Sequence, residues 1–268
     1  MKTKKFLIPL IILLIIGLGV GGFFFFKSQK SKTTKAPAET RIKEQVNVID
    51  ISARPYVSLT PRNDLREVSL TIHDIKQPAD EAEYELEYQA GSLLQGVFGT
   101  IDLSGSLPIT KDLLLGSCSA GGACTYHEDV KGGNLTMLFS GDENYAIKVE
   151  WNFIPTSDAK GKFSSKDAKF QLNAAKLLNS SSVVIIMQTS GLPEAAEGQV
   201  LSGPYGLYPS QSLPKGKAEL TMRLSQEAES ATIMGWNGTK WVEFNTTLEG
   251  KSATATVDLL SVYIAVAE

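Results

Sequence analysis

Cysteine and histidine are nearly missing: the 268 residues include two of each. A closed tetrahedral zinc site needs four ligands of such kinds, and Cys118, Cys124 and His127 fall short of one. Five residues separate the cysteines, which is not the C-x-x-C of thiol oxidoreductases. Also missing are H-E-x-x-H, G-x-S-x-G, the P-loop and the dinucleotide-binding fingerprint, and with them the common recognisable catalytic and cofactor sites. No EF-hand spacing accompanies the turn at Asp142-Glu143-Asn144. The residues therefore ask for no metal and no cofactor. Positive charge is scarce where most of the chain lies: residues 54 to 268 carry 17 Lys/Arg against 26 Asp/Glu, a net of −9. An acidic surface repels phosphates, so nucleic acid is excluded as a partner of this region.

What is present begins with one long apolar run. Phe6 to Phe26, FLIPLIILLIIGLGVGGFFFF, holds 21 residues without a charge, and as a helix it spans about 31 Å, the thickness of a bilayer's hydrocarbon core. Phe23 to Phe26 occupy the place where a signal peptidase would need small residues, and no cysteine stands nearby to be lipidated. The run is expected to be an uncleaved membrane helix after a tail of residues 1–5. Gly17 and Gly21 form a G-x-x-x-G pair that allows weak self-association, although glycine is common in membrane helices anyway.

The flanking charges and the rest of the chain disagree about orientation. Lys2, Lys4 and Lys5 precede the helix, whereas Lys27, Lys30, Lys32, Lys35, Arg41 and Lys43 follow it, and a plain count places the C-terminus inside. The loop-rich β-type region and the spacing of its cysteines favour the other side, so a single-pass protein with an extracytoplasmic C-terminal region is expected. Residues 27–53 are polar and basic and read as a linker, either touching anionic head groups or merely solvated.

Two-residue alternation dominates the remainder. Tyr84, Leu86 and Tyr88 share one face while Glu83, Glu85 and Glu87 share the other; Val68, Leu70 and Ile72 alternate likewise, as do Leu135, Met137 and Phe139. The longest such run is Tyr145, Ile147, Val149, Trp151 and Phe153. Val183 to Met187 instead runs apolar without a break, as a strand covered on both faces requires. ATIMGW, Asn237-Gly238 and TKWVEF predict a hairpin with a type I′ turn that brings Trp236 near Trp241. A further hairpin is expected around Glu249-Gly250, a closing strand at Val262 to Val266, and a short helix at Leu172 to Leu178. The pattern predicts an all-β chain of two tandem antiparallel β-sandwich (Ig-like) domains, 54–155 and 168–268, with 156–167 as the link.

The segments YELEYQAGSLLQGVFGTIDL and LLLGSCSAGGACTYH resemble uncharacterised membrane-anchored proteins of small-genome candidate-phylum bacteria, over most of 54 to 153. GWNGTKWVEF with ATATVDLLSVYIAV is similar to the terminal hairpins of many secreted bacterial sandwich domains. Neither resemblance implies an activity or carries over a functional residue.

Three groups of residues bear on function. Cys118 and Cys124 flank five small residues that include Gly121 and Gly122, so the loop can bend into disulfide range; free thiols or a Cys124/His127 nucleophilic pair are the alternatives. His73, beside Asp74 at a strand end, is expected at the surface. Trp236 and Trp241, with Tyr205 and Tyr208 in SGPYGLYPS, can stack on a sugar or grip a peptide, although such residues more often fill the end of a core or pair across strands. The leading functional expectation is a non-catalytic envelope protein that binds a protein or a polysaccharide. The alternative is an envelope hydrolase with a site of scattered Asp, Glu and Ser.

Overall fold

A computed structural model describes residues 42–267. The expected membrane helix, Phe6 to Phe26, lies outside the described residues, among which no helix is long and apolar enough to cross a membrane. The fold is all-β. The first half of the chain forms β1 (Tyr56–Pro61), β2 (Glu67–Asp74), β3 (Glu81–Ala90), β4 (Leu93–Asp102), β5 (Ile109–Leu114), β6 (Gly116–Cys118), β7 (Cys124–Tyr126), β8 (Val130–Ser140) and β9 (Tyr145–Pro155). The second half forms β10 (Lys162–Ser164), β11 (Phe170–Asn173), β12 (Val183–Gln188), β13 (Gln199–Pro209) and β14 (Lys217–Arg223). Then follow β15 (Thr232–Trp236), β16 (Trp241–Phe244), β17 (Thr246–Glu249), β18 (Ser252–Asp258) and β19 (Val262–Ala267).

Nine strands build one sheet in the order β16-β15-β19-β13-β12-β9-β8-β3-β4. A three-stranded sheet, β1-β2-β5, and a five-stranded sheet, β10-β11-β14-β18-β17, pack against it, and β6 with β7 makes a small ribbon. The alternation dictates which faces these cover. Tyr84, Leu86 and Tyr88 of β3 join Leu135 and Met137 of β8, Ile147 and Trp151 of β9, and Leu59, Leu70 and Leu113 of the three-stranded sheet in one core. Phe163, Leu172, Leu220, Met222 and Val257 of the five-stranded sheet meet Leu207, Ile233, Phe244 and Ala265 in another.

The unbroken apolar run explains how the two cores connect. Val183, Ile185 and Met187 enter the first core, while Val184 and Ile186 enter the second. Successive side chains of a strand point to opposite faces, so the two small sheets lie on opposite faces of the long one and β12 is sandwiched between them. Each Val or Ile so buried stabilises by roughly 1.5–3 kcal/mol. β12 pairs on one edge with β9, Ile185 opposite Phe153, and on the other with β13, Ile186 opposite Leu207. The long sheet thus crosses the segment 156–167, which composition reads as a link. That segment carries a helical turn at Thr156–Ala159 and the strand β10, with Phe163 buried in the second core.

Local details depart from the sequence reading in three places. The loop between Trp236 and Trp241 has four residues, not two, because the Asn237 side chain accepts the amides of Thr239 and Lys240 and only Gly238 takes a positive φ. Leu172 belongs to β11, and the short helix is a 3-10 turn at Ala175–Asn179. The end of the polar linker is folded onto the body: Ile42 is buried with Leu138 and Ala146, and the Asn47 side chain exchanges two hydrogen bonds with the Lys148 backbone.

Candidate functional site

β6 and β7 pair with Cys118 directly opposite Cys124, and the two cysteines form a disulfide. The turn closes where the Ser119 amide donates to the Ala123 carbonyl and the Gly122 amide to the Ser119 carbonyl, with Gly122 at φ 82°, a backbone conformation that a Cβ would strain. A bonded Cys124 cannot act as a nucleophile, and His127 turns elsewhere: its Nδ1 lies 2.8 Å from the Tyr88 hydroxyl. Burial pushes the Tyr88 phenol up to about 12, which keeps it protonated and able to donate. Nearby, the Arg66 guanidinium lies 4.3 Å from the centroid of the Tyr126 ring. Arg66, Tyr126 and His127, with Asp64, Glu128 and Asp129, border an open cleft of about 630 Å³ whose charges are mixed.

His73, expected at the surface, is half-buried. Its ring stacks on Tyr56 with centroids 4.4 Å apart, and Nε2 lies 2.8 Å from the Ser58 hydroxyl. Both partners come from β1, which pairs with β2, and Tyr208 reaches from β13 to place its hydroxyl 3.3 Å from that of Tyr56. A serine beside a histidine is the geometry of an activated nucleophile, but Ser58 is 2% exposed, so no substrate carbonyl can reach it. Burial holds the His73 imidazole below its usual range. The unfolded chain therefore takes up a proton first as pH falls, near the ordinary value of about 6.5, and stability present above that pH is lost as pH drops toward the lowered folded-state value. The thermal midpoint is expected to fall on acidification from about pH 7.5 to 5.5, with a shallower slope in His73→Gln. An identical slope in both proteins would remove His73 as the cause.

The aromatic candidates divide into two pairs. Trp236 and Trp241 stand directly opposite each other on β15 and β16, rings 5.5 Å apart and near edge-to-face. Tyr205 and Tyr208 do not join them. Tyr205 points into the second core and donates to Asp167 at 2.8 Å, whereas Tyr208 points into the first core. They lie on opposite faces of β13, at 2% and 8% exposure, and neither presents a ring to a ligand.

The tryptophans lie on the face of the long sheet opposite the five-stranded sheet. Trp241 borders a cleft of about 630 Å³ whose floor is Thr232, Met234 and Val266 and whose rim carries Glu197 and Glu243. The segment before β13 makes one wall. Leu192 of that segment packs with Met234 and Ile264, and Trp241 Nε1 donates to the Glu194 carbonyl at 3.1 Å, which fixes the indole plane. An immobilised ring beside two carboxylates and a hydroxyl can take the apolar face of a pyranose and accept from its hydroxyls. No protein-family model matches the chain, and no curated protein and no solved structure matches it. Sequence reasoning missed Glu194, Glu197 and Glu243, because only the fold brings the 192–198 segment against β16. The one signal within reach was Glu243 in WVEF, placed by alternation on the same face as Trp241. Among the described residues no group of three or more His, Cys, Asp or Glu gathers as metal ligands would.

Proposed function

We propose that the chain is a non-catalytic binding protein of the cell envelope. In this reading Phe6 to Phe26 anchors it in a membrane, and the body is displayed outside the cytoplasm as two immunoglobulin-like sandwiches in tandem along the long sheet they share. The loose likeness to membrane-anchored proteins of candidate-phylum bacteria belongs to the same proposal. The observation that carries it is the cleft beside Trp241, where a ring held by a backbone hydrogen bond borders a floor of Thr232, Met234 and Val266 with carboxylates at the rim. Such a surface suits a segment of polysaccharide, with Trp241 as the stacking platform and Glu197 and Glu243 as acceptors for sugar hydroxyls. The disulfide of the β6-β7 ribbon suits an oxidising compartment.

Carbohydrate-array binding of the full chain and of Trp241→Ala tests this reading. Loss of one aromatic platform is expected to weaken binding by about 0.5–1.5 kcal/mol, roughly two- to tenfold, drawing on the order of magnitude of aromatic contacts, while Tyr205→Phe leaves it unchanged. Equal binding by the wild type and Trp241→Ala would remove this cleft from the site. Hydrolysis of an array glycan, abolished in Glu243→Gln, would instead favour the hydrolase reading.

A further inference from the structure

We propose that two copies of this chain join along the outer edge of β4, strand to antiparallel strand, about a two-fold axis at Gly96. β4 closes one end of the long sheet and pairs, among the described residues, with β3 alone. Its ten residues contain neither proline nor charge from Leu93 to Ile101. Other sheet ends are short or guarded in the ways that suppress edge pairing. β16 has four residues and includes Glu243, β10 has three and includes Lys162, and β17 has four and ends on Glu249. β5 carries Lys111 and Asp112, and β1 ends on Pro61 and is met by the Thr189 carbonyl at Val57. Three of the seven large apolar side chains exposed among the described residues fall on β4: Leu93 at 53%, Leu94 at 56% and Phe98 at 59%.

The strand also complements itself. In a symmetric antiparallel pair residues of the same face stand opposite one another. With the axis at Gly96, Leu94 of each copy meets Phe98 of the other on the outward face, and Gly96 meets Gly96 between them. On the core-facing side Gln95 meets Val97 and Leu93 meets Gly99. On the outward face bulky residues thus meet bulky ones and small meets small, and on neither face are like charges opposed, which is the arrangement that stabilises cross-strand pairs. A foreign strand would need two large apolar residues four apart around a small one and no charge over seven residues; β4 is itself such a strand. The far end of β4 is excluded from the contact, since Ile101 is already buried in the first core.

Cysteine cross-linking of the full chain in its own membranes tests the pairing. A Cβ at Gly96 meets only the Leu86 carbonyl oxygen, at 3.8 Å, so the site accepts a side chain, and the native cysteines are already bonded to each other. Gly96→Cys is expected to give a covalent dimer on mild oxidation. Thr100→Cys, held far from its counterpart on the other copy, is expected to give none. Gly96→Lys, which sets two like charges on the axis, is expected to shift the light-scattering mass of the detergent-solubilised full chain from two copies to one. The proposal is overturned if Gly96→Cys keeps the wild-type thermal midpoint yet stays monomeric on oxidation. Equal cross-linking from Thr100→Cys would mark random collision, and a cross-link from position 96 to a different protein would assign the edge to a foreign strand; both results also overturn it.

Discussion

A chain ending at residue 160 is expected not to fold, although it contains all of β1 to β9. The first core would lose Val183, Ile185 and Met187 from β12, together with Tyr208 from β13. At roughly 1.5–3 kcal/mol for each buried apolar side chain, the three aliphatic residues alone account for about 5–9 kcal/mol, as much as the whole stability of an ordinary domain. The edge of β9 from Trp151 to Pro155 would also lose its ladder. Residues 42 to 160 should therefore lack near-ultraviolet circular dichroism and show no cooperative urea transition, whereas residues 42 to 267 show both. A cooperative transition in the shorter chain would mean that the first sandwich closes without its shared strand.

The second large effect concerns Ile185 and Ile186, neighbours in sequence that face opposite ways into different cores. Replacing either by alanine leaves a cavity, and such changes cost about 2–5 kcal/mol. Because β12 is hydrogen-bonded on both edges and covered on both faces, damage on either face is expected to move one common transition. Urea unfolding of Ile185→Ala and of Ile186→Ala should show Trp151, deep in the first core, and the Trp236-Trp241 pair, on the second half of the sheet, reporting the same lowered midpoint. Separate midpoints for the two sets of tryptophans would show that the cores unfold independently.

Much of this architecture was legible in the residues. Period-two alternation placed β3, β8 and β9 and the residues that face the core, and the unbroken run at Val183 to Met187 marked the doubly covered strand. The same run shows where reading the chain stopped short. A strand covered on both faces says nothing about what covers it, so the sequence suggested two bodies with a link at 156–167, while the pairing of β12 with both β9 and β13 exists only in three dimensions. His73 misled for a related reason, since the pairing of β1 with β2 brings Tyr56 and Ser58 against it, and Tyr56 is in turn met by Tyr208 from more than a hundred residues away. At the candidate site the tryptophan pair was visible because it is local to one hairpin. Tyr205 and Tyr208, equally conspicuous in the chain, belong to two different cores, and the acidic rim depends on a distant loop. The turn itself resisted because the Asn237 side chain can bind the backbone in more than one way, and here it supports four loop residues.

The proposed outward display of this body is the claim on which the function rests, and protease treatment of intact cells tests it most directly. The account predicts release of a fragment beginning near residue 42 that keeps its thermal transition and shows Cys118 bonded to Cys124 on mass analysis before reduction. Complete protection of the C-terminal region in intact cells, with cleavage only after lysis, would contradict it.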